Sequence, residues 1–278
     1  KILELSEDVI LGTNRETIRN ITTFIDDSEL NGLANGQVTN SKNMSNYYQF
    51  LYTSGPGIGL SSSYVFYAQD SNNVTADFLY YKSGAEIGRY LLELITPLQS
   101  DIYDSSGAIS TTGLYLTDFE NVDIAFFGKS YKIIEARRMS SAGNNIKLIL
   151  TSKTINGTLL EGNTKTYTIE DKNYNVTLDF IDAAQVKFTV NAQTTSLLNK
   201  SQSYTLSDKT SIYVSDILYQ DFAGGIHSAT FYLGKDKTEF IDLNIKDVDS
   251  TNSLIVDNNT ISYAYAIIEG TDNNNTFK

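Results

Sequence analysis

The side chains from which catalytic sites are built are scarce in this sequence. Among 278 residues there is one His, no Cys, no Trp and two Met, against 19 Tyr and 33 Asp plus Glu. A serine–histidine–carboxylate arrangement would have to use His227. That residue follows the glycine turn Gly224-Gly225 and enters the strand-like run 229–233, a structural position. Zinc needs several nitrogen or sulfur ligands, which one His without Cys cannot supply. Two carboxylates can hydrolyse a glycoside. Pairs such as Asp26 with Asp27 and Asp101 with Asp104 are too generic for the sequence to choose among them. No catalytic or cofactor-binding residue is assigned, and the chain is expected not to be an enzyme.

Two further segments carry oxygen or anion chemistry. Asp247 and Asp249 alternate with other residues in Asp247-Val248-Asp249-Ser250-Thr251-Asn252, oxygen ligands suited to a hard cation. The loop lacks the sixth-position Gly and twelfth-position Glu of an EF-hand, and a solvated loop is the plainer reading. Asp247 and Asp249 are the metal candidates, with Ca²⁺ as the ion. Gly12-Thr13-Asn14 falls between a strand-like and a helix-like run, where helix N-termini cradle anions. It lacks the glycines of a dinucleotide loop and the Gly-Lys-Ser/Thr of a P-loop.

The most concrete chemical signal is the Asn-x-Ser/Thr sequon. It occurs at Asn20, Asn43, Asn73, Asn156, Asn175, Asn199, Asn258 and Asn274. Each is an N-glycosylation acceptor if the chain is exported.

The elements that position these residues read mainly as strands. Val9 to Leu11 forms a short strand, and Ile18, Ile21 and Ile25 recur on one face of a helix over 15–25. Residues 47–52 and 63–67 are aromatic strands. Residues 78–81 and 87–94 read as a hairpin around Gly84. Beyond Ile124 the alternation is cleaner. Tyr174, Val176, Leu178 and Phe180 alternate with polar residues, as do Val186, Phe188 and Val190. Gly157, Gly162, Asn191 and Asp208 fall at turn spacing. A last strand is expected over 261–268. The expected fold is mainly β with a small α/β element near the N-terminus and antiparallel sandwich-like domains. The division is 1–120 as an α+β domain, 121–243 as an antiparallel sandwich or barrel, and 244–278 as a further β unit or a strand returning to the first domain.

Composition narrows the partners. An apolar fraction of 41% fits a globular chain. A net charge of −12 argues against nucleic acid and against an anionic membrane surface. No run of 18 apolar residues is present, so no membrane span is expected in this chain. The start at Lys1, without Met or a signal-type segment, is expected for a mature product or an excised fragment.

Four segments in order resemble archaeal surface-layer (S-layer) proteins. They are Asp8-Val9-Ile10-Leu11-Gly12-Thr13-Asn14 with the following Ile18, Ile21 and Ile25; Ser28-Glu29-Leu30 through Gly36 to Tyr47-Tyr48-Gln49; Ile124 to Tyr131, ending Gly128-Lys129-Ser130-Tyr131; and Tyr213 to Leu218 through Gly224-Gly225. Arg15 and Thr22-Thr23 depart from the Ala-rich helix of that family. The resemblance spans most of 8–235. It implies an extracellular cell-envelope protein, commonly glycosylated, that assembles with copies of itself into a lattice. Envelope glycans or lipids would be reached through regions outside this chain. The rival readings are a bacterial-type surface adhesin of Ig-like domains, some of which cross-link Lys to Asn, and a glycan-binding module.

Overall fold

The computed structural model describes residues 23–53, 63–69, 75–81, 88–245, 252–270 and 276–277. The fold is mainly β, in antiparallel sheets. Among the described residues the only helical turns are the short 3-10 segments Asn31–Leu33 and Thr117–Phe119. In chain order the strands are β1 (Gly36–Thr39), β2 (Met44–Thr53), β3 (Ser63–Gln69), β4 (Thr75–Tyr81), β5 (Gly88–Leu94), β6 (Leu98–Gln99), β7 (Asp123–Phe126), β8 (Lys129–Arg138), β9 (Ile146–Leu160) and β10 (Thr164–Ile169). They continue as β11 (Lys172–Ile181), β12 (Gln185–Val190), β13 (Gln193–Thr194), β14 (Leu198–Asn199), β15 (Ser203–Thr205), β16 (Ser211–Tyr219), β17 (His227–Asp242), β18 (Ser253–Val256), β19 (Asn259–Thr260) and β20 (Thr276–Phe277).

The chain divides into two compact units. One is drawn from the residues up to Gly36, Asn46–Ile95 and Phe126–Gly128; the other from Gln37–Ser45, Thr96–Ala125 and Lys129 onward. In the first, β2 pairs β5 from Tyr47↔Leu94 to Thr53↔Gly88, and β3 pairs β4 from Ser63↔Tyr81 to Gln69↔Thr75. This corrects the expected hairpin between 78–81 and 87–94. β5 instead takes β2 as its partner along its whole length, which occupies the edge a β4–β5 hairpin would need. Ile25 is corrected too. It forms an antiparallel bridge with Leu51 instead of ending a helix face. Residues 15–22, with Ile18 and Ile21, lie outside the described residues, as do Val9 to Leu11 and Gly12-Thr13-Asn14.

The second unit is built on two sheets. An eight-stranded sheet runs β15-β16-β17-β9-β8-β7, with β18 on β17 and β19 on β18. A five-stranded sheet runs β10-β11-β12-β13, with β14 on β12. Their facing sides share one core, including Tyr174, Val176, Leu178, Phe188, Val214, Phe231 and Leu233. Phe231 lies edge-on to Phe188 (centroids 5.1 Å apart) and to Tyr167 (5.5 Å). Edge-to-face pairs add ~1 kcal/mol each beyond burial. Gly157 belongs to this core and not to a turn, as its spacing had implied. It sits inside β9, where an added Cβ would come within 2.5 Å of the Tyr167 hydroxyl and 2.8 Å of the Phe231 ring.

The alternation in β11 and β12 places Tyr174, Val176, Leu178, Val186, Phe188 and Val190 inward, as the pattern requires. Phe180 is the exception and is 40% exposed. A register shift between Leu178 and Phe180 reverses the facing of the strand, so Ile181 is buried in its place. The turns at Asn191-Ala192 and Asp257-Asn258 have positive φ at both residues, the twist-compatible geometry of two-residue hairpins. The expected strand over 261–268 is not formed. The ladder β17–β18–β19 ends at Thr260, residues 262–269 join no strand among the described residues, and the next strand, β20, pairs β6.

Candidate functional site

β9 and β17 are longer than the sandwich needs. Their other halves, Ile146–Ser152 and Lys235–Asp242, continue the eight-stranded sheet beyond it and pair with β8 and β18. Register shifts on β17 on both sides of Lys235, and on β8 between Ile133 and Glu135, set which side chains face which way. Two rows result. Glu135, Ile149 and Glu239 lie side by side; Arg137, Lys147 and Ile241 form the next row. Cross-strand partners share a face. The segment between β13 and β15 crosses that face. Between them is an open, polar cavity of about 390 Å³, walled by Arg137, Lys147 and Lys237 on the sheet and by Ser196, Ser201 and Ser203 on the crossing segment.

Three cations and two carboxylates therefore meet here, in a chain whose net charge is −12. Lys237 Nζ lies 2.6 Å from one Glu239 oxygen and Lys147 Nζ 2.9 Å from the other. Arg137 Nε lies 2.7 Å from Glu135 Oε1. Lys237 also donates to Ser203 Oγ (2.9 Å) and Asn258 Oδ1 (3.2 Å). Burial works against the Glu239 charge, but the two lysines outweigh it and hold the carboxyl below its usual range. Glu135 is wholly buried. Desolvation raises its carboxyl above the ordinary value, against the pull of Arg137 and Lys147. Nearby, burial and the Glu135 charge push Glu120 up to about 7, although the Ala136 N–H donates to it.

The sequence did not single out this group. Glu135, Arg137, Lys147, Lys237 and Glu239 are spread over three strands, and only the register gathers them. The one local signal was a charge at every second position in Glu135-Ala136-Arg137 and Lys237-Thr238-Glu239.

His227 opens β17, 3.0 Å from Glu161 Oε2 and stacked on Tyr219 with centroids 4.3 Å apart. Its other ring nitrogen faces the Gln220 carbonyl at 3.3 Å. No hydroxyl nucleophile bonds to it among the described residues. The acidic pairs serve local structure. Asp104 accepts from the Ser106 and Ala108 N–H groups, Asp101 pairs with Lys42 at 2.5 Å, and Asp27 accepts from Asn35. Asp247 and Asp249 lie outside the described residues. Among the described residues no group of three His, Cys, Asp or Glu side chains could hold a metal.

The sequons fall into three groups. Asn156, Asn175 and Asn199 are exposed, and their side-chain Nδ2 atoms make no hydrogen bond among the described residues. Asn43 donates Nδ2 to the Pro97 carbonyl, and Asn258 donates to Thr205 Oγ1. Asn20, Asn73 and Asn274 lie outside the described residues.

Comparison with known proteins returns no match. No family model fits the chain, no curated protein matches it, and no solved structure matches its fold. No helix among the described residues is long and apolar enough to cross a membrane.

Proposed function

We propose that this chain is a structural component of a cell envelope, exported and glycosylated, that assembles with copies of itself into a two-dimensional surface layer. The observation that carries this reading is the segment after β19. Tyr263, Tyr265 and Ile267 are 90%, 39% and 36% exposed, alternate along the chain, and belong to no strand ladder among the described residues. A segment with an exposed apolar row outside any strand ladder is suited to adding an edge to another copy's sheet. Tyr fits such contacts because its ring buries apolar area while its hydroxyl stays hydrogen-bonded. Heterologous contacts of this kind propagate into open arrays when their rotations do not close.

The sequon geometry adds to the reading. Glycans are expected at Asn156, Asn175 and Asn199, whose Nδ2 atoms make no hydrogen bond among the described residues, and not at Asn43 or Asn258, whose Nδ2 atoms are engaged. Glycopeptide mass spectrometry of the native protein tests this; occupancy at Asn43 and Asn258 alone would contradict it. Divalent cations are proposed to bridge acidic faces between copies. Assembly that survives chelation would refute that bridge. For the apolar row, serine at Tyr263, Tyr265 and Ile267 together is expected to abolish assembly while leaving the sandwich folded by circular dichroism. Unchanged assembly would remove the segment from the account.

The adhesin reading has one observation of its own. Lys237, Glu239 and Asn258 come together in the arrangement a Lys–Asn amide cross-link needs. The pairing works against it, because the two lysines hold the Glu239 carboxyl below its usual range, away from the protonated acid such a cross-link needs.

A further inference from the structure

We propose that the cavity between the extended end of the eight-stranded sheet and the β13–β15 segment is a binding site for an oxyanion carried on a sugar-sized body. The charges come first. Arg137, Lys147 and Lys237 face Glu135 and Glu239 across one strand face, so the cluster keeps one positive charge more than it neutralises. Lys237 is 5% exposed and its bonds to Glu239, Ser203 and Asn258 account for its three donors. It is a fixed part of the floor.

Arg137 and Lys147 differ from it. Arg137 Nε is ion-paired with Glu135 at 2.7 Å without hydrogen-bond geometry, and its two terminal nitrogens have no hydrogen-bond partner among the described residues. Lys147 meets only Glu239. Both line the cavity. A guanidinium end with two parallel N–H donors matches an oxyanion bidentately, and an ammonium beside it adds a second charge. The carboxylates behind them fix both cations in place, which removes ordering cost at binding. Ser201 and Ser203 line the opposite wall with hydroxyls and Gln202 with an amide.

Size argues for more than a bare ion. The volume of about 390 Å³ equals roughly a dozen waters at liquid density and falls in the range of small-molecule sites. An oxyanion at Arg137 and Lys147 would leave room over Ser201 and Gln202 for the ring that carries it. Hydroxyl and amide walls suit a polyhydroxylated body. Tyr263, Tyr265 and Ile267 do not line the cavity, so this inference stands without the assembly reading.

The test is calorimetric titration of the whole chain at low ionic strength with glucuronate, inorganic sulfate, inorganic phosphate and neutral glucose. Saturable binding of glucuronate tighter than roughly 10 mM, with glucose silent, is expected. Sulfate or phosphate binding more tightly than glucuronate would overturn the sugar-borne part and leave a site for a free ion. Arg137→Gln and Lys147→Met are each expected to weaken binding by about tenfold or more, whereas Lys200→Gln, which removes a surface pair with Asp216 and is not part of the cavity lining, leaves it unchanged. To guard against misfolded variants, thermal melts of the unaltered protein are compared at matched ionic strength. Glucuronate should raise the midpoint above that in chloride. Absence of saturable binding to any of the anions, or full affinity in both cavity variants, overturns the proposal.

Discussion

Replacing Glu120 by Gln should change how the stability of the protein responds to pH. Glu120 follows the 3-10 turn Thr117–Phe119, with Glu135 nearby and the Ala136 N–H donating to its carboxyl. Burial, reinforced by the Glu135 charge, lifts it from an ordinary 4.5 to about 7. Between those values the folded chain keeps a proton that the unfolded chain has lost. Stability from this group is therefore full below about pH 4.5, falls as pH rises, and levels off above about pH 7. At 1.36 kcal/mol per pH unit the loss is ~3 kcal/mol. Gln carries no titrating charge and can still accept from the Ala136 N–H. Urea unfolding of both proteins at pH 5 and pH 8 measures the effect. The unaltered protein should lose ~2–3 kcal/mol more than Glu120→Gln across that interval. Glu135, also raised by burial, titrates in both proteins and largely cancels in the comparison. Equal pH dependence would show that Glu120 is ionised in the folded state and that its burial has been misjudged.

Other expectations follow from the same contacts. Gly157→Ala should cost ~1–3 kcal/mol, because its Cβ meets Tyr167 and Phe231; an unchanged thermal midpoint would contradict the packing. Asp208 is held well below the carboxylate range. Burial opposes this, but the Lys172 ammonium at 2.5 Å and donors from Thr210 and Tyr174 prevail. Asp208→Asn should lose ~1–3 kcal/mol at pH 7. Its deficit should shrink as pH falls below about 4, where the unfolded chain takes up the proton and the stabilisation fades toward the low folded value. Intact-mass measurement should find no loss of ammonia. A deficit of about 17 Da, the mass of NH₃ released when Lys237 joins Asn258 by an amide, would favour the adhesin reading.

The strands of the sandwich were legible because one face is buried and the other solvated. Tyr174, Val176 and Leu178, then Val186, Phe188 and Val190, carry that contrast residue by residue. Phe180 broke the pattern because a bulge is a register event, set by the partner strand. Pairing was less legible than strand existence. Whether 78–81 meets 63–69 or 87–94 depends on competition from β2 for β5, which alternation does not encode. Residues 261–268 have strand composition, and exposure alternates from Tyr263 onward, yet only Ile261 and Ile268 bond to neighbouring strands, to the Leu254 carbonyl and the Asp242 carboxylate, and no ladder forms among the described residues. Propensity there had no tertiary partner to act with. Gly157 read as a turn because glycine usually marks one; only the rings of Tyr167 and Phe231 explain it. The charged cavity was hidden for the same reason as the pairing. Its residues are up to 104 positions apart (Glu135 and Glu239), and the ladder from β8 through β9 to β17 is what brings them onto one face.

The most direct test of the central proposal is negative-stain electron microscopy of the purified chain with and without millimolar Ca²⁺. Ordered sheets or rings, lost when Tyr263, Tyr265 and Ile267 are replaced by Ser, are the predicted result. Dispersed monomers in both conditions would contradict self-assembly by this chain.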